Sequence, residues 1–431
     1  MEGGSIMKIS HLSASTFKGL IGLVAPYVKR AEGSDYSTIY LAVNRISGQP
    51  DFYALDGRTF QPDHISDFSY PLPEGSVTFD HEDEVGQIFS LDFTHLKKTL
   101  ASIGVHEIDI EISPISPVTP DDVHMRLTVI DKKNDPDNAA SSTVEHSVQK
   151  STNQHVAVDY DLVVKTLSGH LIIPRIEHGT TLAPMVLGRA LQATYKAVAL
   201  AGRGYRSTTA AHLRVTPESL AAEALCSNLF VASDWGKESL LEVPADAQEM
   251  HLELSVNTAR RLYEAAMREG TAVTISYDTS AKTLIVAIGI YTFSVRAEVA
   301  ADHPVYGFAG AAFAEGDEWS QFFVDRRLLT SAFQRARTLG LQTVGIGFSP
   351  GGSIEVLDIE GEYTTRIAAA QHLFCEPRVS RTYEVSVPAM LAFLPLLTSD
   401  DVAIDFARED APIRITGVTP EDSITSVVRT L

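Results

Sequence analysis

Three stretches of the chain alternate apolar and polar positions, pass into a helical spacing, and return to alternation. They are FSLDFTHLKKTLASIGVHEIDIEI (Phe89–Ile112), LELSVNTARRLYEAAMREGTAVTISY (Leu252–Tyr277) and YEVSVPAMLAFLPLLTSDDVAIDF (Tyr383–Phe406). A period of two predicts a half-buried strand and a period of 3.6 an amphipathic helix, so each stretch predicts strand, helix, strand. Phe89, Leu91 and Phe93 fall in register with Leu252, Leu254 and Val256, and again with Tyr383, Val385 and Val387. The copies stand 163 and then 131 residues apart. Solenoids and propellers repeat every ~20–50 residues, so the repeating object here is a domain.

A looser helix-then-strand segment precedes each copy: Thr16–Arg30 with Thr38–Asn44, Ala183–Arg206 with His212–Thr216, and Asp325–Gly340 with Val344–Ser349. Six helical units thus form three pairs. We expect three domains, at 7–178, 180–312 and 318–431, with junctions near His178–Thr181 and Ala311–Trp319. The segment Asp131–Gln154 is rich in Asn, Ser, Asp and Thr, too polar to bury a core, and reads as an insertion in the first domain. A length of 431 residues agrees with two to four domains.

Composition is that of a globular protein, 44% hydrophobic and 21% charged, and no apolar run approaches the ~20 residues of a membrane span. The start, MEGGSIMKIS, lacks the features of a signal peptide; Met7 is read as the natural start and the cytoplasm as the location. Cys226 and Cys375 lie far apart with no ligand pattern near them, and the 14 histidines show no paired metal spacing. The acidic run Thr78–Val85 reads as a solvated loop.

A net charge of −20 argues against nucleic acid until its distribution is considered. The six predicted helices hold 16 Lys and Arg against 4 Asp and Glu, a charge of +12 that leaves −32 for the rest. Helix propensity alone would enrich Glu as well as Lys and Arg, and Glu is scarce in them. The segregation suits helices that face a polyanion. In Ser255–Glu269 the apolar stripe runs through Val256, Ala259, Leu262, Tyr263, Ala266 and Met267, with Arg260, Arg261 and Arg268 expected off it. In Ala183–Arg206, Arg189 and Lys196 are expected to project away from the core stripe.

Catalytic signatures are missing. The chain has no G-x-S-x-G elbow, no phosphate-binding P-loop and no Cys/His couple at a known spacing. Pro350-Gly351-Gly352 reads as a hairpin turn and Gly202-Arg203-Gly204 as a helix end. No enzyme and no cofactor is expected.

Taken in order, the tandem helix-strand units, the basic helices in an acidic chain, SNLFVASDWGKESLLEV (Ser227–Val243), HPVYGF (His303–Phe308), and a close of DAPIRI then SVVRTL resemble the bacterial-type sliding clamp, the beta subunit of DNA polymerase III, in a bacterial or phage-encoded form. The resemblance spans about Met7 to Leu431 and rests on order and spacing rather than on one motif. It implies an α+β fold of three tandem clamp domains, each with two helices packed on antiparallel sheets, forming a ring as a head-to-tail homodimer. Such a ring encircles double-stranded DNA without regard to sequence, tethers the replicative DNA polymerase, is placed by a clamp loader, and works in the cytoplasm at the nucleoid.

Carried over by position, the resemblance puts DNA contacts on Lys29, Arg30, Lys97, Lys98, Arg203 and Arg206; Arg260, Arg261, Arg326, Arg335 and Arg337 are added on charge, and Arg189 and Lys196 on their projection away from the core stripe of their helix. The sixth helix, Val387–Ser399, departs from the pattern in having no basic residue. A pocket for partner peptides is implied at Ser233, Asp234, Gly236, Leu240, Pro304, Tyr306, Phe308, Pro412, Val427, Val428, Arg429 and Leu431. The family's threonine-aspartate-glycine-histidine turn is here Ser233-Asp234-Trp235-Gly236-Lys237, and its methionine-rich tail is Val427-Val428-Arg429-Thr430-Leu431. The alternative reading is a ring-forming structural or regulatory protein of the same fold that does not tether DNA.

Overall fold

Strand pairing in the computed structural model bears out the internal repeat. The structure describes residues 6–24, 38–60, 64–103, 107–114, 122–130, 159–167, 169–176, 178–201, 210–226, 229–245, 247, 249–299, 320–349, 351–358, 362–373, 382–406, 413–417 and 424–428. They fall into two compact units, Met1–Arg175 with Ile290–Ser294, and Ile176–Gly289 with Val295–Leu431.

The first unit holds β1 (Met7–Ser13), α1 (Ala14–Val24), β2 (Thr38–Ile46), β3 (Gln49–Phe60), β4 (His64–Pro71), β5 (Val77–Phe79), β6 (Ile88–Asp92), α2 (Phe93–Ser102), β7 (Glu107–Pro114), β8 (Asp122–Ile130) and β9 (Asp159–Leu167). Its strands run in the order β4-β3-β2-β6-β9-β8-β7-β1-β5, with every adjacent pair antiparallel. The polar segment 131–154 lies outside the described residues; it joins the paired strands β8 and β9.

The second unit continues with β10 (Thr180–Leu182), α3 (Val186–Ala201), β11 (Ala210–Val215), β12 (Leu220–Cys226), β13 (Leu229–Trp235), β14 (Leu240–Glu242), β15 (Met250–Ser255), α4 (Val256–Glu269), β16 (Val273–Asp278) and β17 (Thr283–Ile288). Strand β18 (Tyr291–Arg296) divides its residues between the units, and β19 (Glu298–Val299) follows. Then come β20 (Ser320–Asp325), α5 (Arg326–Thr338), β21 (Thr343–Ser349), β22 (Ser353–Leu357), β23 (Thr364–Ala368), β24 (Gln371–Leu373), β25 (Tyr383–Ser386), α6 (Val387–Phe393), β26 (Asp401–Phe406), β27 (Ile413–Gly417) and β28 (Ile424–Val428).

Each of the six α-helices among the described residues sits between two strands, and the helical units join by one rule. The first strand of one unit pairs with the last strand of its mate, β1 with β7, β10 with β16 and β20 with β26. The inner strands pair likewise, β2 with β6, β11 with β15 and β21 with β25. Even the register repeats. Thr38, Ala210 and Thr343 open their strands opposite Asp92, Ser255 and Ser386, which are the N-caps of α2, α4 and α6. Each cap side chain accepts a backbone N–H three residues on, from His95, Thr258 and Ala389, removing one of the unsatisfied donors of a helix start.

Eight of the nine positions aligned in sequence, Phe89, Leu91, Phe93, Leu252, Leu254, Tyr383, Val385 and Val387, are buried, and Val256 is partly buried. In the second unit a ten-stranded sheet runs β19-β15-β11-β12-β13-β28-β27-β26-β20-β24. The core around α5 and α6 therefore reaches back to Ala224 and Val231 on β12 and β13. The β21–β22 hairpin closes as expected, Ser349 opposite Ser353, with Gly352 at φ +79°.

Candidate nucleic-acid and partner interface

Helices pack in the pairs that the repeat predicts, α1 with α2, α3 with α4 and α5 with α6, and α3 also meets α6. Contact between α3 and α4 is close because position 188 is glycine. A Cβ there would stand 2.8 Å from Met267 Sδ. Gln192 Nε2 donates to Tyr263 Oη at 3.3 Å, and Tyr195 lies against Tyr263 with ring centroids 5.1 Å apart.

The basic side chains differ in what holds them. Lys97 and Lys98 are exposed on α2, Lys97 over the Phe93 ring, and Arg189 is exposed on α3. Arg268 on α4 and Arg335 and Arg337 on α5 are also exposed, and among the described residues none of these six is in an ion pair. Lys196 is half-buried, and desolvation lowers its pKa from the ordinary lysine range. Arg260 donates to Glu264 at 2.7 Å. Arg326 Nε donates to the Ser399 carbonyl, and Arg327 pairs with Asp400.

Arg261 corrects the sequence reading. It is 4% exposed, with Nη1 3.3 Å from Glu264 Oε2. The buried face of α4 runs through Thr258, Ala259, Arg261, Leu262, Ala265 and Ala266, so position 261 falls on the stripe, and Arg261 is not available to a partner. Helix α6 ends at Phe393, and a 3-10 turn, Leu394–Leu396, continues it. Lys29, Arg30, Arg203 and Arg206 lie outside the described residues.

The implied partner pocket is brought together in part. Ser233 and Asp234 are on β13, and Gly236 caps a 3-10 turn (Lys237–Ser239) that leads to Leu240 on β14. Ser233 is fully buried, its hydroxyl accepting from Trp235 Nε1 at 2.8 Å, while Asp234 is exposed. A Cβ on Gly236 would meet Glu238 Oε2 at 2.7 Å. From far along the chain, β28 lies against β13, setting Val427 opposite Phe230 and Val428 opposite Leu229. Pro304, Tyr306, Phe308, Pro412, Arg429 and Leu431 lie outside the described residues. Leu241, next to Leu240, is 56% exposed, an apolar surface residue that the period-two pattern gave no reason to single out.

Strand β12 adds a group the sequence reading passed over. Glu223 is 8% exposed, and burial raises its pKa to about 6, against the pull of Arg214 and with the push of Asp234. Among the described residues no cluster of three His, Cys, Asp or Glu could hold a metal ion, and no helix is long and apolar enough to cross a membrane.

Solved structures match over the whole chain. The sliding clamp of Pseudomonas aeruginosa with a ligand aligns at TM-score 0.69 with 13% identity, covering 99% of both chains. The clamp of Bacillus subtilis aligns at 0.69 with 14% identity and the same coverage. The fold is that of the sliding clamp. The Helicobacter pylori beta clamp bound to a DNA ligase peptide aligns at 0.68 with 10% identity, over 98% of this chain and 99% of that one. No family model and no curated protein matches the sequence. The clamp fold is an α+β arrangement of helices on antiparallel sheets, as the resemblance implied.

Proposed function

We propose that the chain is a DNA sliding clamp, organised as domains 7–178, 180–312 and 318–431, two copies of which close head to tail around duplex DNA. The observation that carries this reading is the end-to-end likeness to sliding clamps, joined to exposed cations that are in no ion pair among the described residues on α2, α3, α4 and α5 of a chain whose net charge is −20. Weak, sequence-independent phosphate contacts suffice for a ring, because topology rather than affinity retains it. The proposed DNA face consists of Lys29, Arg30, Lys97, Lys98, Arg189, Lys196, Arg203, Arg206 and Arg260, with Arg335 and Arg337; Arg261 is left out. The protein has no chemistry of its own in this reading, and acts in the cytoplasm.

Partners are the replicative polymerase and a clamp loader, docking by peptide segments at the face built from β13, the turn to β14, and β28. The likeness to a clamp bound to a ligase peptide supports a peptide-binding role. The test is native mass together with retention on DNA. A particle of twice 46.8 kDa, with a hole wide enough for a duplex, is expected to stay on a nicked circle and slide off once the circle is cut. A monomer, or retention indifferent to linearisation, refutes the clamp reading and leaves a clamp-fold structural or regulatory protein.

A further inference from the structure

Helix α4 joins β15, which pairs with β11, to β16, which pairs with β10 in a different sheet. At the ends of β15 and β16 farthest from α4 lies a cavity of about 470 Å³, lined wholly by residues of the second unit. Alternation puts Met250 and Leu252 on one face of β15, and Ile275 and Tyr277 on one face of β16. Leu252 and Ile275 are fully buried in its wall, whereas Glu249 and His178 at its rim are exposed, so the cavity opens to solvent. Its volume is within the ~300–1,000 Å³ of small-molecule sites.

The charge of this lining is one-sided. Among the described residues no lysine or arginine lines the cavity, and Glu249 is its one carboxylate. Glu249 Oε1 accepts from His251 Nε2 at 2.8 Å, while Oε2 meets no partner among the described residues. A neutral imidazole bonds a carboxylate without cancelling its charge. Tyr277 Oη donates to the Ala297 carbonyl at 3.2 Å, which ties down its ring as a wall of the cavity. A carboxylate and an aromatic ring both attract a cation.

We propose that this cavity binds a small organic cation with an apolar body, the body against Met250, Leu252 and Ile275 and the ammonium donating to Glu249 Oε2. Burying the body removes apolar surface from water, and the ammonium gains the one charge that the rim offers. An anion would meet the Glu249 charge with no lysine or arginine to answer it, and a neutral apolar molecule would gain the wall alone. None of these residues belongs to the proposed DNA face or to the face built from β13, the turn to β14, and β28, so the inference does not depend on the clamp reading.

Three probes that share one ring system separate these cases on the full chain: tryptamine, 3-ethylindole and indole-3-propionate, followed by NMR of methyl-labelled Met250 and Ile275. Tryptamine is expected to shift both signals in a saturable way and to bind more tightly than either other probe. Glu249→Gln, an exposed change that keeps the side-chain shape, should weaken tryptamine at least about tenfold, the loss of one hydrogen bond to a charged group, and leave 3-ethylindole unchanged. Ala247→Trp, which puts an indole into the cavity from its lining loop, should abolish the tryptamine shifts. No saturable shift with tryptamine, binding of indole-3-propionate as tight as that of tryptamine, or wild-type affinity in Glu249→Gln overturns the proposal. Because the probes are read without DNA or a partner, failure here is distinct from failure of the clamp reading.

Discussion

Phe230 and Val427 stand directly opposite each other where β13 meets β28, and Phe230 is 1% exposed. Strand β28 is thus a central strand, flanked by β13 and β27. Deleting 424–431 removes both ladders at once. We expect a loss of at least about 3 kcal/mol, near 6–12 °C in Tm for a unit of this size, read by thermal unfolding. An unchanged Tm would mean the strand adds little to the sheet.

Asp405 is 2% exposed and accepts from Arg414 Nε at 2.7 Å and from Gln321 Nε2 at 2.8 Å, all three in register across β20, β26 and β27. Removing one partner of a buried pair strands the other charge. Arg414→Ala is expected to destabilise by about 3 kcal/mol, and Arg414→Ala with Asp405→Ala by less than the sum of the two single changes. Urea unfolding of the double-mutant cycle decides; simple additivity would show that the pair is not coupled.

Glu223 gives a pH signature. Its folded pKa of about 6 lies above the ordinary 4.5, so the protonated carboxyl favours the fold, and that contribution fades as pH rises through about 6. Glu223→Gln should therefore stabilise by up to about 2 kcal/mol at pH 8 and by almost nothing at pH 4. Denaturant midpoints at the two pH values check it, and the opposite order would contradict the assignment.

Gly57 lies opposite Phe68 in the β3–β4 ladder, and a Cβ there would stand 2.2 Å from the Phe68 ring. Gly57→Ala is expected to cost about 1–3 kcal/mol by overpacking. Combining it with Phe68→Leu should recover part of that loss in the same unfolding assay, because the smaller side chain vacates the space.

Arg335 and Arg337 are exposed and outside any ion pair among the described residues, whereas Arg261 is buried against Glu264. Arg335→Glu with Arg337→Glu should leave Tm within about 1 °C, as exposed changes do, and weaken DNA association. The log–log salt slope should fall by about 0.9 for each phosphate no longer neutralised. Arg261→Glu should instead lower Tm. DNA association of the double variant equal to wild type would take α5 off the proposed DNA face.

Much of this architecture is legible in the amino-acid sequence itself. A period of two and a period of 3.6 are local properties, so strand, helix, strand emerges three times in register, and the cap residues Asp92, Ser255 and Ser386 mark the same point in each copy. The clustering of Lys and Arg on helices is likewise a property of the sequence. Which strand edges meet is another matter, because periodicity says which face is buried and not what lies beside it. The pairing of β13 with β28, nearly two hundred residues downstream, is decided by tertiary packing alone. The same holds for Arg261, whose few tens of degrees around α4 turn an expected surface cation into a buried one. It holds also for Glu223, ordinary in an alternating strand until folding buries its carboxylate and leaves it in a medium that disfavours charge.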